Sequence, residues 1–534
     1  MSNLKSRTTA WALGVAAVAM SVGLAGCGPS AGPAPTSTGD APDPNAPVVG
    51  GSLIADIPSD EGCVDPQQLI GRSLLSVMRS AYDSLVYQDA DSGEILPWLA
   101  ESWDVSSDGT EYTFHLRDDV TFSDGTPFTA DSVKANFDAI IALGAKARLA
   151  SSYLAGSTGT EVVDDHTVKV GFETPNAAFL ASLATPSMGI ISDADAVKDQ
   201  GARCAGVSGT GAFTIDKYVK DNGMSLSVRD DYAWAPAPLH QGRAYLDSIE
   251  VQIVPESGVR AGSVVSGAAD VMTEVNKPDL AVLGDTPISV RSNPGVTQGL
   301  MANPKAGVLV DPVIRQALQA AFDRQLLVDS TLTKYQPAAT SVLSAATPGY
   351  TDLSSKMAYD PAAAKSMLDA DGWKAGADGI REKDGVRASV SLLYAAQRMA
   401  PYVPLMELIQ QQAAEIGIEF VLRPLPDADE TTAWTSGDYE LRISALTRGD
   451  GDVLRTAFRG LDPKLDEVLN QQLVQTDPAA RNKLLAEAQE IIVEQGIHIP
   501  INELSLPMAS VPAVKGITFT GDSLLLYSEL WKSQ

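Results

Sequence analysis

The chain has 534 residues, 44% of them hydrophobic, and a formal net charge of −28 from 39 Lys and Arg against 67 Asp and Glu. At about 150 residues per domain this is enough for about three or four domains, or for one large multi-lobed body, and the ordinary apolar content excludes global disorder. The acidity excludes nucleic acid as the main partner, because phosphates would be repelled, and only three cysteines exclude a disulfide-built scaffold or a multi-cysteine metal cluster.

The first 26 residues read as an export signal. Lys5 and Arg7 give a positive start, and Thr9 to Ala25 is an uncharged, mostly apolar stretch, short for a membrane span. It ends in Leu24-Ala25-Gly26-Cys27, which resembles a bacterial lipobox. The resemblance implies cleavage before Cys27 and lipidation of its thiol, against ordinary signal cleavage beside an incidental cysteine. Two or more acyl chains anchor stably, since each buried CH₂ contributes about 0.8 kcal/mol. Loss of residues 1–26 removes two cations and leaves −30. Residues 27–49 are rich in Pro, Gly, Ala, Ser and Thr, and are expected to be a disordered tether that holds the body off the membrane. No later segment is long and apolar enough to span a bilayer.

Gly50 to Ile57 reads as a first strand. Glu111 to Arg117 alternates, with Tyr112, Phe114 and Leu116 on one face, between the turn signals Asp108-Gly109 and Asp124-Gly125. Thr129 caps a helix carrying Val133, Phe137, Ile140 and Ile141 in one stripe. Glu161 to Phe172 has a strand pattern around Asp164-Asp165. Asp followed by Pro opens helices at 311, 360 and 477, where the carboxylate caps and the ring presets the first turn. Strand patterns occur at Ile249 to Val254, Ser389 to Tyr394, Ile418 to Leu422 and Glu440 to Leu446. Helices and strands interleave, so the class is mixed α/β. No long linker cuts the body, so lobes would be joined by several crossings.

Chemistry-bearing motifs are missing. There is no G-x-x-x-x-G-K-[ST], H-E-x-x-H, C-x-x-C or G-x-S-x-G. The four histidines, His115, His166, His240 and His498, are widely spaced, which disfavours a zinc site. Asp89 to Gly93 looks faintly like a calcium loop, but its twelfth position is Ala100, where a bidentate Glu is needed. Neither catalytic residues, a metal site nor a cofactor is expected. Cys63 and Cys204 form one disulfide or remain two buried thiols; in an exported protein the bridge is favoured.

A resemblance enters at Arg79 to Phe137. Ala81-Tyr82-Asp83-Ser84-Leu85-Val86, Pro97-Trp98-Leu99-Ala100-Glu101-Ser102-Trp103 and Phe122-Ser123-Asp124-Gly125-Thr126-Pro127-Phe128-Thr129-Ala130-Asp131-Ser132-Val133 are similar to the peptide/nickel (family 5) type of solute-binding protein of ABC importers. Gly209-Thr210-Gly211-Ala212-Phe213, Tyr245 to Ile249, Arg315 to Leu318 and Ala364 to Trp373 follow in family order. The resemblance implies a two-lobed α/β periplasmic-binding-protein fold: a discontinuous first domain at 50–82, 208–296 and 500–534, a second at 83–207, and an opposing lobe at 297–499. It also implies a monomer that closes on a small solute, docks on a permease at the membrane, and is held to membrane lipid through Cys27. Trp98, Trp103 and Phe128 are expected in the core.

In peptide-binding relatives an Asp on a loop after a late strand of the opposing lobe binds the ligand's amino terminus. Here that loop is Thr447-Arg448-Gly449-Asp450-Gly451-Asp452-Val453-Leu454-Arg455. Asp450 and Asp452 are candidates for a charge-assisted bond to an ammonium, or are simply a solvated acidic turn. Arg448 and Arg455 are candidates for a ligand carboxylate, or for pairing with the neighbouring aspartates. Trp434 is a candidate pocket wall, and Arg398, Gln68 and Arg72 are candidates facing the cleft. The expected ligand is a peptide or peptide-like solute. The alternatives are a metal chelate, sugar or other small metabolite on the same fold, or, from another class, a secreted enzyme or adhesin-like surface protein.

Overall fold

A computed structural model describes residues 46–533. Cys27, the signal segment and the tether up to residue 45 lie outside the described residues.

Three sheets carry the body. The largest has seven strands, in the order Ile288–Ser289, Met508–Ser510, Val271–Met272, Ser52–Ile57, Ser248–Ile253, Gly223–Val228 and Phe213–Val219. Ser52–Ile57 lies near its middle and runs parallel to both neighbours. Leu53, Ala55 and Ile57 face the apolar core, as the first-strand pattern predicts. A four-stranded antiparallel sheet follows the order Ala100–Val105, Glu111–Leu116, Thr167–Phe172 and Ser157–Asp164. The strand pattern expected around Asp164-Asp165 is a hairpin turning at those residues. Tyr112, Phe114 and Leu116 are buried, and helix Ala130–Leu143 covers the sheet, its capping box closed by Thr129 and Ser132. One continuous apolar core runs beneath both sheets. Trp98 and Phe128 are buried, and Trp103 packs against the edge of that core.

The third sheet has five strands, in the order Glu419–Leu425, Ser389–Ala395, Leu441–Thr447, Gly295–Ala302 and His498–Asn502. Its first three strands run parallel, so their carboxyl ends share one edge. Helices Pro312–Ala321, Pro361–Ala370, Pro463–Leu473 and Pro478–Glu494 surround it, each with an Asp N-cap that accepts from the first turn. The Asp462-Pro463 start, which the sequence reading did not name, has the same local signal as the other three. This body has its own apolar clusters. We call the two bodies lobes.

The chain crosses between lobes twice, at residues 290–294 and 503–507. The crossings lie side by side: Ser292 bridges to Ser505, and Asn293 N–H donates to the Leu504 carbonyl at 2.7 Å. The strand His498–Asn502 runs through the expected 499/500 boundary, so the five-stranded sheet extends to Asn502.

Cys63 and Cys204 are joined, closing a loop of 141 residues. The bridge sits beside a buried polar knot. Arg203 Nε meets Asp65 Oδ2 at 2.8 Å, Arg203 Nη2 donates to Gln67 Oε1 at 2.5 Å, and Gln67 Nε2 donates to Asn136 Oδ1 at 2.6 Å. Breaking the bridge with Cys63→Ser is expected to lower unfolding free energy by about 2–4 kcal/mol. Denaturant titrations of the two proteins check this, and matching midpoints would show that the knot alone holds the loop.

His498 is fully buried, with Nε2 3.0 Å from the Thr297 carbonyl. Burial pushes its pKa from 6.5 down to about 4. Between those values the unfolded chain binds the proton that the folded chain refuses, so stability falls as the pH drops from 6.5 towards 4. The loss attributable to this residue is of order 3 kcal/mol. His498→Gln should flatten that part of the stability profile, and an unchanged slope between the two proteins would count against it.

Candidate functional site

The strand Leu441–Thr447 ends against the first crossing, with Thr447 paired to Gly295 and Arg448 N–H donating to the Pro294 carbonyl at 3.1 Å. The next five residues, 448–452, form a tight loop that leads into helix Val453–Phe458. Two glycines let it pack closely: a Cβ on Gly449 would collide with the Gln88 side chain, and one on Gly451 would meet Leu485 Cδ1 at 2.6 Å. The loop therefore sits where the two lobes meet.

Its charges form one connected network. Arg481 grips Asp450 with two bonds, Nη1 to Oδ2 at 2.9 Å and Nη2 to Oδ1 at 2.6 Å. Arg455 grips Asp452 in the same way, at 2.9 and 2.8 Å. Gln472 joins the two pairs, donating from Nε2 to Asp452 Oδ1 at 2.5 Å and accepting from Arg481 Nε at 3.1 Å. Bidentate pairs of this kind fix geometry as well as charge.

The two aspartates are thereby distinguished. Asp452 is 6% exposed, with both oxygens engaged inside its own lobe. Asp450 borders an interlobe cavity of about 630 Å³, a volume suited to a small organic ligand. Ile95, Tyr112 and Leu180 line one side of it, Leu473 and Val474 the other, and among the described residues Asp450 and Arg481 are the charged side chains on its wall. Burial pushes the Tyr112 phenol up to about 12, so it presents a neutral hydroxyl, which donates to the Asn176 carbonyl at 2.6 Å. A second, water-sized cavity of about 30 Å³ lies behind the loop, between Tyr153, Ser182, Arg448 and Asp452.

The other candidates lie elsewhere. Arg455 has the partner that the alternative reading gave it, Asp452. Arg448 reaches the opposite lobe, donating to Ser152 Oγ at 3.0 Å with its guanidinium 4.1 Å from the Tyr153 ring centre. Trp434 lies under the Arg442 guanidinium at 4.2 Å, and Arg398 is half exposed and pairs with Glu430 at 3.2 Å. Gln68 is tied to Asp65 Oδ2 at 2.8 Å, and Arg72 donates to the Asp522 carbonyl. Trp434, Arg398, Gln68 and Arg72 line neither cavity. Among the described residues no cluster of His, Cys, Asp and Glu is arranged to hold a metal ion, and no helix is long and apolar enough to cross a membrane.

Arg481 escaped the sequence reading, yet it left a signal. It lies in the first turns of the helix opened by Asp477-Pro478, where the helix dipole disfavours a cation. A cation placed there needs a carboxylate from another element, and Asp450 supplies it.

A family profile described as "Bacterial extracellular solute-binding proteins, family 5 Middle" matches residues 94–456. The chain belongs to this family. This binding protein is 26% identical over 474 residues to the glutathione-binding protein GsiB of Escherichia coli O1:K1, covering 84% of this chain and 88% of that one. It is 27% identical over 402 residues to the dipeptide-binding protein of Escherichia coli K12, covering 70% and 71%. Its structure is similar to that of NikA from Brucella suis in complex with Fe(III)-EDTA, with a TM-score of 0.78 and 25% identity over 90% of this chain and all of that one. The mixed α/β, periplasmic-binding-protein fold is thus shown, and members of this family are extracytoplasmic solute-binding proteins of transport systems.

The network predicts a measurable coupling. Asp450→Ala and Arg481→Ala should each lower stability by about 1–3 kcal/mol, since each leaves a charged partner unpaired. The double variant should lose less than the two losses added, by about 0.5–3 kcal/mol. Urea unfolding of all four proteins measures this, and strict additivity would show that the pair does not act as a unit.

Proposed function

We propose that this binding protein captures a peptide or peptide-like solute between its lobes, without turning it over, and hands it to the permease of an ABC importer. The observation that carries the reading is the cavity of about 630 Å³ with an apolar wall and a single ion pair, Asp450 with Arg481. A zwitterion fits such a wall. Its ammonium replaces Arg481 on Asp450, its carboxylate replaces Asp450 on Arg481, and its side chains take the apolar surface. Closing the lobes excludes water and strengthens both bonds. The relatives named for glutathione and dipeptide binding support this class of ligand.

The same reading places domains at 50–82 with 208–296 and 500–534, at 83–207 and at 297–499, with the last carried on to Asn502 by its strand. It takes the protein as a monomer held at the outer face of the cell membrane by lipid on Cys27, which the Leu24-Ala25-Gly26-Cys27 sequence supports.

A second reading has one observation in its favour. One similar protein of known structure, NikA from Brucella suis, is in complex with Fe(III)-EDTA, a polycarboxylate chelate, and Arg481 is a suitable partner for a chelate's carboxylate.

A melting-temperature screen tests both. Di- and tripeptides and glutathione are expected to raise the melting temperature, as a ligand that binds only the folded state must. Asp450→Ala should weaken that binding by about 1–3 kcal/mol in calorimetry. A shift with Fe(III)-EDTA and none with peptides would replace the first reading by the second, and no shift with either would remove both.

A further inference from the structure

The spacing of the two charges on the cavity wall is fixed from behind. Asp450 Oδ1 accepts from the backbone N–H of Asp452 at 2.7 Å as well as from Arg481. Arg481 Nε is committed to Gln472 Oε1 at 3.1 Å. Gln472 Nε2 donates in turn to Asp452 Oδ1 at 2.5 Å and to the Leu469 carbonyl at 3.1 Å. Gln472 is fully buried in helix Pro463–Leu473. The carboxylate and the guanidinium are therefore held in contact, at 2.6 and 2.9 Å, by Asp452 and Gln472, neither of which lines the cavity. Bonding capacity remains on the pair itself. Each Nη of Arg481 spends one of its two N–H groups on Asp450, and among the described residues Asp450 Oδ2 accepts one bond.

A solute that meets both charges must bring an ammonium and a carboxylate as close together as this pair. In an α-amino acid head group the two sit on one carbon, about 2.5 Å from nitrogen to carboxyl carbon. In an extended dipeptide they are about 6 Å apart, and in a tripeptide about 9 Å. An ordinary peptide thus satisfies one of the two charges, or folds back at a cost in conformational entropy. We infer that the cavity selects solutes whose ammonium and carboxylate share one carbon, with the rest of the molecule leading away from that head, as in γ-glutamyl peptides. Gln472 is then the positioning residue that sets the spacing. The remainder of the cavity suits such a tail. Its volume of about 630 Å³ leaves room beyond the head group, Leu180 and Val474 offer apolar surface, and Ser107, Gln475 and Asn482 offer partners for amide groups. The inference rests on the reading of the cavity as the solute site, and narrows it from peptide-like solutes in general to one head-group geometry.

Calorimetry with the isomers γ-Glu-Leu and α-Glu-Leu tests this on the full-length protein. The two have the same atoms and the same charges. They differ in whether the carboxylate beside the ammonium is free or spent in the peptide bond. γ-Glu-Leu is expected to bind at least about tenfold tighter, the difference being one charge-assisted contact. Gln472→Met, which keeps the side-chain length and removes its bonds, should shrink the ratio between the isomers, whereas a merely structural role would weaken both alike. If Gln472→Met does not fold, Arg481→Lys removes the bond to Gln472 from the other side and is expected to shrink the ratio too. Equal affinities in the wild type, or a tighter α isomer, would overturn the inference and leave the solute reading standing, as would binding of Leu-Leu with neither isomer bound. An unchanged ratio in the folded variants would overturn the role of Gln472. No binding of any of the three compounds would remove the solute reading and the inference with it.

Discussion

Two short crossings at 290–294 and 503–507 govern what this molecule can do. Two adjacent extended segments, bridged at Ser292 and Ser505, resist twisting more than one peptide would, while still permitting a hinge. The lobes therefore retain a fixed relative direction as they open and close. Each lobe completes its own apolar core, so no hydrophobic surface has to be torn apart during that motion. Beside the apolar walls of the cavity, the seam holds polar or small contacts: glycines, a glutamine, an arginine on a tyrosine. Such contacts are individually worth about a kcal/mol or so and can be made and broken at little cost.

The charged network behind the seam solves a different problem. On the proposed reading, a carboxylate held for a ligand must be tolerated when the ligand is away, and an unpaired buried charge is costly. Arg481 meets that need for Asp450, and Gln472 and Arg455 hold the neighbouring Asp452 so that only one of the two aspartates faces the cavity. A zwitterionic solute bound as proposed would exchange one satisfied arrangement for another. On that proposal affinity would be decided by the apolar wall and by closure more than by raw charge.

Much of this fold was legible in the sequence. Asp-Pro helix starts announced themselves because capping and ring geometry are local, and alternation in Glu111 to Arg117 reported a half-buried strand for the same reason. The loop 448–452 was also visible, since glycine and aspartate at a strand end have local causes. Which aspartate faces the cavity was not, because it depends on Arg481 and Gln472, which arrive from helices 31 and 20 residues further along the chain than the aspartates they hold. Arg448 shows the same limit. Its charge can be read from the chain, but its destination on Tyr153 depends on how two lobes meet. Candidates chosen for their chemistry alone, such as Trp434 and Arg398, were drawn off into contacts inside their own lobe.

The bridge between Cys63 and Cys204 also bears on how the protein is made. Three cysteines emerging into an oxidising compartment offer competing partners, and a wrong pairing would trap the first strand and the loop after it away from their sheet. With Cys27 acylated, as proposed, its thiol is withdrawn from that competition, and oxidation of the remaining two has a single product. Attachment to the membrane and fidelity of oxidative folding would thus be served by the same modification.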